Sequence, residues 1–186
     1  MKLFMVLIGC KPQGRHIEQH DIFFGIAPSL SELVPQMHAF WPGNHRLHID
    51  AWREVTVVNG FAVLVKSAPH LSSAKKGPRL FFLNLGGYKP MEFEEYHYKM
   101  IIAAPSKAAA IRTAKASTFF KHTGYKGAEA HIDDQYGIDI DDAYQIEELL
   151  SENLLLQYSI VLSPLSTEKE DALHIGYTKL SSLIKK

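Results

Sequence analysis

The sequence has one cysteine, no surplus of either charge and no long hydrophobic run, and each lack excludes a class of protein. A single cysteine excludes an internal disulfide and suits a reducing compartment, so a cytoplasmic protein is expected. Lys and Arg together number 20, Asp and Glu number 20, and the formal net charge is +0. Phosphate affinity needs clustered Lys and Arg. The basic clusters here are Lys75-Lys76 with Arg79 and the terminal Lys185-Lys186, which read as linker and tail charges. No apolar stretch is long enough to span a bilayer. Neither nucleic acid nor membrane is therefore expected as a partner. A nucleotide-binding loop, a nucleophile elbow and a paired-cysteine metal motif are also missing.

What the chain does have is a copy of part of itself. Residues 3–29 read LFMVLIGCKPQGRHIEQHDIFFGIAPS, and residues 80–106 read LFFLNLGGYKPMEFEEYHYKMIIAAPS. At a constant offset of 77, eight of these 27 positions are identical: Leu3/Leu80, Phe4/Phe81, Gly9/Gly86, Glu18/Glu95, His20/His97, Ala27/Ala104, Pro28/Pro105 and Ser29/Ser106. Chance gives roughly two, so a fixed-period duplication is the better account. His48-Ile49-Asp50 recurs further on as His131-Ile132-Asp133. The repeat also disposes of a false lead. Leu7-Ile8-Gly9-Cys10 looks like a lipoprotein cleavage box, but the same apolar pattern returns at Leu80 to Gly86, where no signal peptide can sit. Both read as buried strands.

The elements follow from local pattern. Leu3 to Gly9 is continuously apolar, which suits a central strand. Glu18 to Ala27 is a second extended run, and the short loop between them favours an antiparallel pair. Ser29 and Glu32 have capping-box spacing ahead of Leu33, Val34, Met37 and Trp41, with Pro35 predicting a kink or an irregular first turn. A third strand covers Leu47 to Glu54, and Asn59-Gly60 signals a hairpin. The second copy predicts strand, loop and strand again, then a helix over Lys107 to Phe120 capped by Ser106. A third strand over Ala128 to Asp133 and a helix over Ala143 to Leu150 follow, with a strand over Leu154 to Leu162. Leu173 to Leu180 is either a strand or a short helix. The expected fold class is α+β: a tandem duplication of a β-β-α-β unit, with mixed sheets and helices packed on one face. The expected divisions are 1–66 for the first repeat with an added hairpin strand, 67–78 for a linker, and 79–186 for the second repeat with a C-terminal helix and strand extension.

The polar residues common to both copies are the candidate ligand-binding residues. Glu18 and His20 share one face of a strand, as do Glu95 and His97, His48 and Asp50, and His131 and Asp133. Imidazoles and carboxylates on adjacent strands suit a zinc-like ion or acid–base chemistry. Hydrogen-bonded structural networks are the simpler account of the same residues. His16 adds a third polar position in the first copy, but the second has Phe93 there. Asp139, Asp141 and Asp142 are weak metal candidates, since oxygen ligands suit a hard cation but the EF-hand order is missing. Helix capping accounts for part of that cluster. Cys10 has Gly87 as its counterpart and reads as a small packed residue rather than a nucleophile. Trp41, Trp52, Tyr96 and Tyr98 suit core packing at least as well as a pocket.

Three segments carry a resemblance: Gly14-Arg15-His16-Ile17-Glu18-Gln19-His20-Asp21, His48-Ile49-Asp50-Ala51-Trp52-Arg53-Glu54 and Gly137-Ile138-Asp139-Ile140-Asp141-Asp142. Together they resemble a bacterial family catalogued as domain of unknown function 1543, over most of the chain to about Leu150. The resemblance implies a bacterial, cytoplasmic protein and brings no assigned chemistry. The expected function is a non-enzymatic ligand-binding or regulatory module, with its site at the seam between the repeats and a small-molecule ligand of unknown identity. No cofactor is required, a metal ion being the one candidate. The alternatives are a metal-dependent hydrolase using His, Asp and Glu on adjacent strands, and a structural homodimer subunit that pairs through strand edges.

Overall fold

An apolar run such as Leu3–Ile8 fits a strand with neighbours on both sides. The computed structural model describes residues 1–43, 46–68, 77–117, 131–132, 143–166 and 169–184, with the backbone alone at 131–132. In it this run forms most of β1 (Lys2–Cys10). The strands that follow are β2 (Gln19–Ala27), β3 (His48–Glu54), β4 (Val57–Val58), β5 (Phe61–Lys66), β6 (Arg79–Tyr88), β7 (Glu95–Ala104), β8 (His131–Ile132), β9 (Ala143–Gln145), β10 (Ser159–Pro164) and β11 (His174–Lys179). The helices are α1 (Val34–Phe40), α2 (Lys107–Lys115), α3 (Glu152–Gln157) and α4 (Leu180–Leu183). They form two compact units, Met1–Leu71 with Leu150–Lys186, and Ser72–Leu149. No helix among the described residues is long and apolar enough to cross a membrane.

In the first unit the main sheet has the order β11-β3-β1-β2, and a smaller one has the order β10-β5-β4. β1 is antiparallel to both β2 and β3. β2 and β3 therefore run in the same direction with β1 between them. Strands that run the same way cannot be joined by a hairpin, so the connection passes through α1. Pro35 stands in the first turn of that helix, where a missing N–H costs nothing, and of the kink or irregular start expected there it is the irregular start that is found. A 3-10 turn at Ser31–Leu33 precedes it. The Ser29 hydroxyl donates to Glu32 Oε1 at 2.9 Å instead of forming a capping box. Leu33, Val34 and Met37 are buried against Phe4, Val6, Ile8 and Cys10 of β1. Asn59 and Gly60 both take positive φ, +48° and +78°, in the turn that joins β4 to β5.

In the second unit β6 is central, with β7 on one side and both β8 and β9 on the other. Ser106 caps α2 by accepting from the Ala109 N–H at 3.2 Å. Ala110 and Ala114 are fully buried and pack with Phe81, Leu83, Ile102 and Ala143.

Several expectations are corrected. The sheets are not mixed: every pairing among the described residues is antiparallel. Residues 143–150 do not form an α-helix. Residues 143–145 instead form β9, which pairs with Phe81, Phe82 and Leu83 of β6 on the side where β8 pairs with Leu85 and Gly86. A 3-10 turn, Ile146–Leu149, comes next. The run Leu154 to Leu162 divides into α3 and β10, since periodicity alone does not separate a short buried strand from a helix. Leu173 to Leu180 covers β11 and the start of α4. The C-terminal extension, placed with the second repeat on sequence order, pairs its strands β10 with β5 and β11 with β3 in the first unit. The helix expected over Lys107 to Phe120 ends at Lys115; residues 118–120 lie outside the described residues.

Leu33 is fully buried between α1 and β1. Leu33→Ala is expected to destabilise the first unit by about 2–5 kcal/mol, measured by chemical denaturation. A change under about 1 kcal/mol would mean that this core is not closely packed.

Candidate functional site

The site begins with a glycine. Gly9 pairs with His20 on β2 and with His48 on β3, so the three residues stand abreast across the sheet. Directly opposed residues project to the same face. Both imidazoles therefore occupy the side on which a Gly9 side chain would stand. A Cβ built there would lie 2.5 Å from His48 Nε2, 2.7 Å from Asp50 Oδ2 and 2.9 Å from His20 Cδ2. The cluster exists because that atom is missing.

Two further devices bring in the carboxylates. Glu18 precedes β2 by one residue and lies two before His20. Asp50 is a bulge: Leu7 pairs with Ala51 and Ile8 with Ile49, which leaves Asp50 without a partner on β1. The extra residue re-aims its side chain, as bulges near functional sites do. It also lets Ile49 and Trp52, three apart, both reach the α1 core.

The distances are short. Glu18 Oε1 is 3.1 Å from His48 Nε2, and Glu18 Oε2 is 3.6 Å from His20 Nε2. Asp50 Oδ2 is 3.1 Å from His20 Nε2 and 3.3 Å from His48 Nε2. The side chain of His48 is only 3% exposed and that of Asp50 25%, whereas Glu18 and His20 are at 43% and 40%. The cluster therefore has a buried floor and a solvent-facing side. His48 Nε2 and Asp50 Oδ2 are buried, yet neither makes a hydrogen bond. Their separation would permit one, so it is direction that fails: the ring nitrogen is aimed along neither neighbouring carboxylate. Leaving such a group unsatisfied costs about 1–3 kcal/mol.

The last strand supports the site from outside. The Tyr177 ring centroid is 4.5 Å from that of His48, and His174 stacks on Trp52 at 3.9 Å with planes 7° apart. Asp171, just ahead of β11, accepts from the Thr56 N–H at 3.0 Å and the Val57 N–H at 3.2 Å. Its carboxylate also accepts from the Thr56 hydroxyl at 2.5 Å.

The structure thus brings Glu18, His20, His48 and Asp50 together inside the first unit. In the second unit Glu95 Oε2 lies 3.8 Å from His97 Nε2, and Glu95 Oε1 accepts from the Tyr88 hydroxyl at 2.7 Å. Asp133, Asp139, Asp141 and Asp142 lie outside the described residues, as does the side chain of His131. Trp41 and Trp52 pack against the α1 core. Tyr96 donates to Glu92 and lies under the Lys89 ammonium, and Tyr98 is half-exposed. Burial, and secondarily the Glu18 charge, pushes the Cys10 thiol above its ordinary value, the opposite of what a nucleophile needs. Its side chain belongs to the core. Sequence reasoning missed three parts of the site: the space over Gly9, the bulge at Asp50 and the support from Tyr177. Gly9 was recoverable, because it is one of the positions identical at the offset of 77; the other two left no signal.

Fold and site define an α+β protein of small antiparallel sheets that carries a two-histidine, two-carboxylate cluster. The family described as Domain of Unknown Function (DUF1543) matches residues 15–65, a span that contains Glu18, His20, His48 and Asp50. The crystal structure of a protein Il1583 from Idiomarina loihiensis is similar with a TM-score of 0.60 and 24% identity, over 96% of this chain and 97% of that one. At that identity the likeness shows the fold. No curated protein matches the chain.

Gly9→Ala is expected to displace the His48 and Asp50 side chains while β1 keeps its pairing. The check is the imidazole resonances of His20 and His48, which should move while backbone amide shifts in α1 do not. Unmoved imidazoles would show that the cradle has room to spare. Cys10 is expected to resist alkylation at neutral pH in folded protein and to react once the protein is unfolded, followed by mass spectrometry.

Proposed function

We propose that this protein is a cation-binding module whose site is the Glu18, His20, His48 and Asp50 cluster, inside the first unit rather than at the seam between repeats. The observation that carries the reading is the buried, hydrogen-bond-free pair His48 Nε2 and Asp50 Oδ2 over Gly9. A cation satisfies both atoms at once, which a proton shared between them does not when neither is aimed at the other.

The donor set favours a zinc-class ion. Imidazole nitrogen with carboxylate oxygen suits zinc, iron or manganese, while calcium and magnesium prefer oxygen alone. Glu18, His20 and His48 each offer an atom within 4.8 Å of the other two. His20 Nε2 and His48 Nε2 each lie 3.1–3.6 Å from a Glu18 oxygen and from Asp50 Oδ2, Glu18 presenting a different oxygen to each ring. A second reading, metal-assisted hydrolysis, draws support from the half-exposed Glu18 and His20, which leave one side of such an ion within reach of water.

A tandem duplication of a β-β-α-β unit is part of the same proposal. The register supports it: Lys2 pairs with Ala27 and Arg79 with Ala104, so the offset of 77 holds for both partners.

Purified without a histidine tag and given one equivalent of zinc, the protein is expected to retain it through dialysis, measured by plasma mass spectrometry. His48→Ala should weaken zinc binding by on the order of 100-fold. Circular dichroism on the same sample checks that it is folded. No retained zinc, or zinc unaffected by both His48→Ala and His20→Ala, would overturn the proposal.

A further inference from the structure

Two strand irregularities meet at Asp50. On one side β1 has no residue opposite it, since Leu7 pairs with Ala51 and Ile8 with Ile49. On the other side β11 has two. Ile175 pairs with Ala51 and Thr178 with Ile49, which leaves Gly176 and Tyr177 facing that one position. An extra residue re-aims a side chain, and here the Tyr177 ring comes to lie against the His48 imidazole, 4.5 Å between centroids and 31° between planes. Gly176 makes the bulge possible, because a side chain is strained at its φ of +144°. The strand is fastened at its ends. Asp171 accepts from the Thr56 and Val57 N–H groups ahead of it, and Leu180 is buried in the α1 core just beyond it. Between these anchors Ile175 is 82% exposed and Tyr177 63%. Besides backbone pairing, the contacts of Tyr177 with His48 and of His174 with Trp52 seat the middle of β11. A segment that buries so little apolar surface opens locally at low cost.

We propose that Tyr177 is a positioning residue for the cation site, and that through it the seating of β11 and the binding of metal strengthen one another. The inference rests on the reading of Glu18, His20, His48 and Asp50 as a cation site.

Coupling requires a contact whose strength differs between the metal-free and metal-bound states. The Tyr177–His48 contact is of that kind. A neutral imidazole gains little from an aromatic face. An imidazole with a metal ion on Nε2 is electron-poor, and an aromatic ring within about 6 Å attracts such charge. The contact is therefore stronger with metal bound. By reciprocity, a seated Tyr177 raises the affinity for metal by the same factor. Tyr177 also covers His48, whose side chain is only 3% exposed in a cluster with a solvent-facing side. Groups that orient and cover a ligand histidine change metal affinity by about 10- to 100-fold. It is the ring that meets His48, so phenylalanine should serve as well as tyrosine.

The test measures the coupling from both ends. Zinc affinity of the tag-free full chain is read by competition against a chromophoric chelator, for the parent, Tyr177→Phe and Tyr177→Ala. Amide hydrogen exchange of residues 174–179 is followed by mass spectrometry with and without equimolar zinc chloride. Tyr177→Ala is expected to weaken zinc binding by about tenfold, while Tyr177→Phe keeps the parent affinity. Zinc should slow exchange in β11 of the parent and of Tyr177→Phe, and not in Tyr177→Ala. A purely structural role for the ring would not make β11 exchange depend on zinc. Parent affinity in Tyr177→Ala, or β11 exchange indifferent to zinc that is bound, overturns the coupling and leaves the cation site standing. A parent chain that holds no zinc overturns both. If Tyr177→Ala fails to fold, Gly176→Val serves instead. A Cβ at Gly176 meets nothing within 4 Å, so that variant strains the bulge without a clash and leaves Tyr177 in the sequence. The same weakening is expected of it, and an unchanged affinity would overturn the coupling.

Discussion

The structure turns on the pairing of one glycine with two histidines. A strand projects its side chains to alternate faces, so a register slip of one residue in β1 would carry Gly9 and its neighbours through the sheet. The observed register puts Phe4, Val6, Ile8 and Cys10 on the α1 side and the glycine on the other. The core therefore specifies the site indirectly. Burying the even positions of β1 under α1 fixes which face carries the gap, and that gap admits two imidazoles and a carboxylate closer together than any larger residue would allow.

The bulge at Asp50 resolves a conflict within β3. His48 and Asp50 belong on the polar side, while Ile49 and Trp52 belong with the core. Strict alternation satisfies Ile49 but turns Trp52 away. One extra residue meets both demands, and it falls at the residue whose carboxylate contacts both histidines. A feature that repairs the core thus also shapes the polar cluster.

Much of this was legible in the sequence, for identifiable reasons. The eight identities at an offset of 77 exposed the polar pairs, because identity at a fixed offset is a signal that needs no structure. The first helix, the Asn59-Gly60 turn and the Ser106 cap were legible from local chemistry. What failed was whatever depended on distant partners. Ala143 to Gln145 becomes a strand by pairing with Phe81 to Leu83 of β6, and nothing local says so. Mixed sheets were inferred from the helical connection between β2 and β3. The direction of those strands was right, but β1 lies between them. The bulge at Asp50 is invisible for the same reason, since it exists only relative to β1.

The first unit is assembled from both ends of the chain. β11 pairs with β3, and its residues support His48 and Trp52, yet the whole of Ser72–Leu149 lies between them in sequence. During synthesis, β1, β2 and β3 emerge early with one edge of β3 still open. The second unit, contiguous in sequence, is complete before β11 leaves the ribosome. The order of maturation is thus the reverse of the order of sequence: the later-encoded unit closes first, and the earlier one waits for its last strand. Throughout that interval the backbone edges of β3 and β5 that later take β11 and β10 stay uncovered.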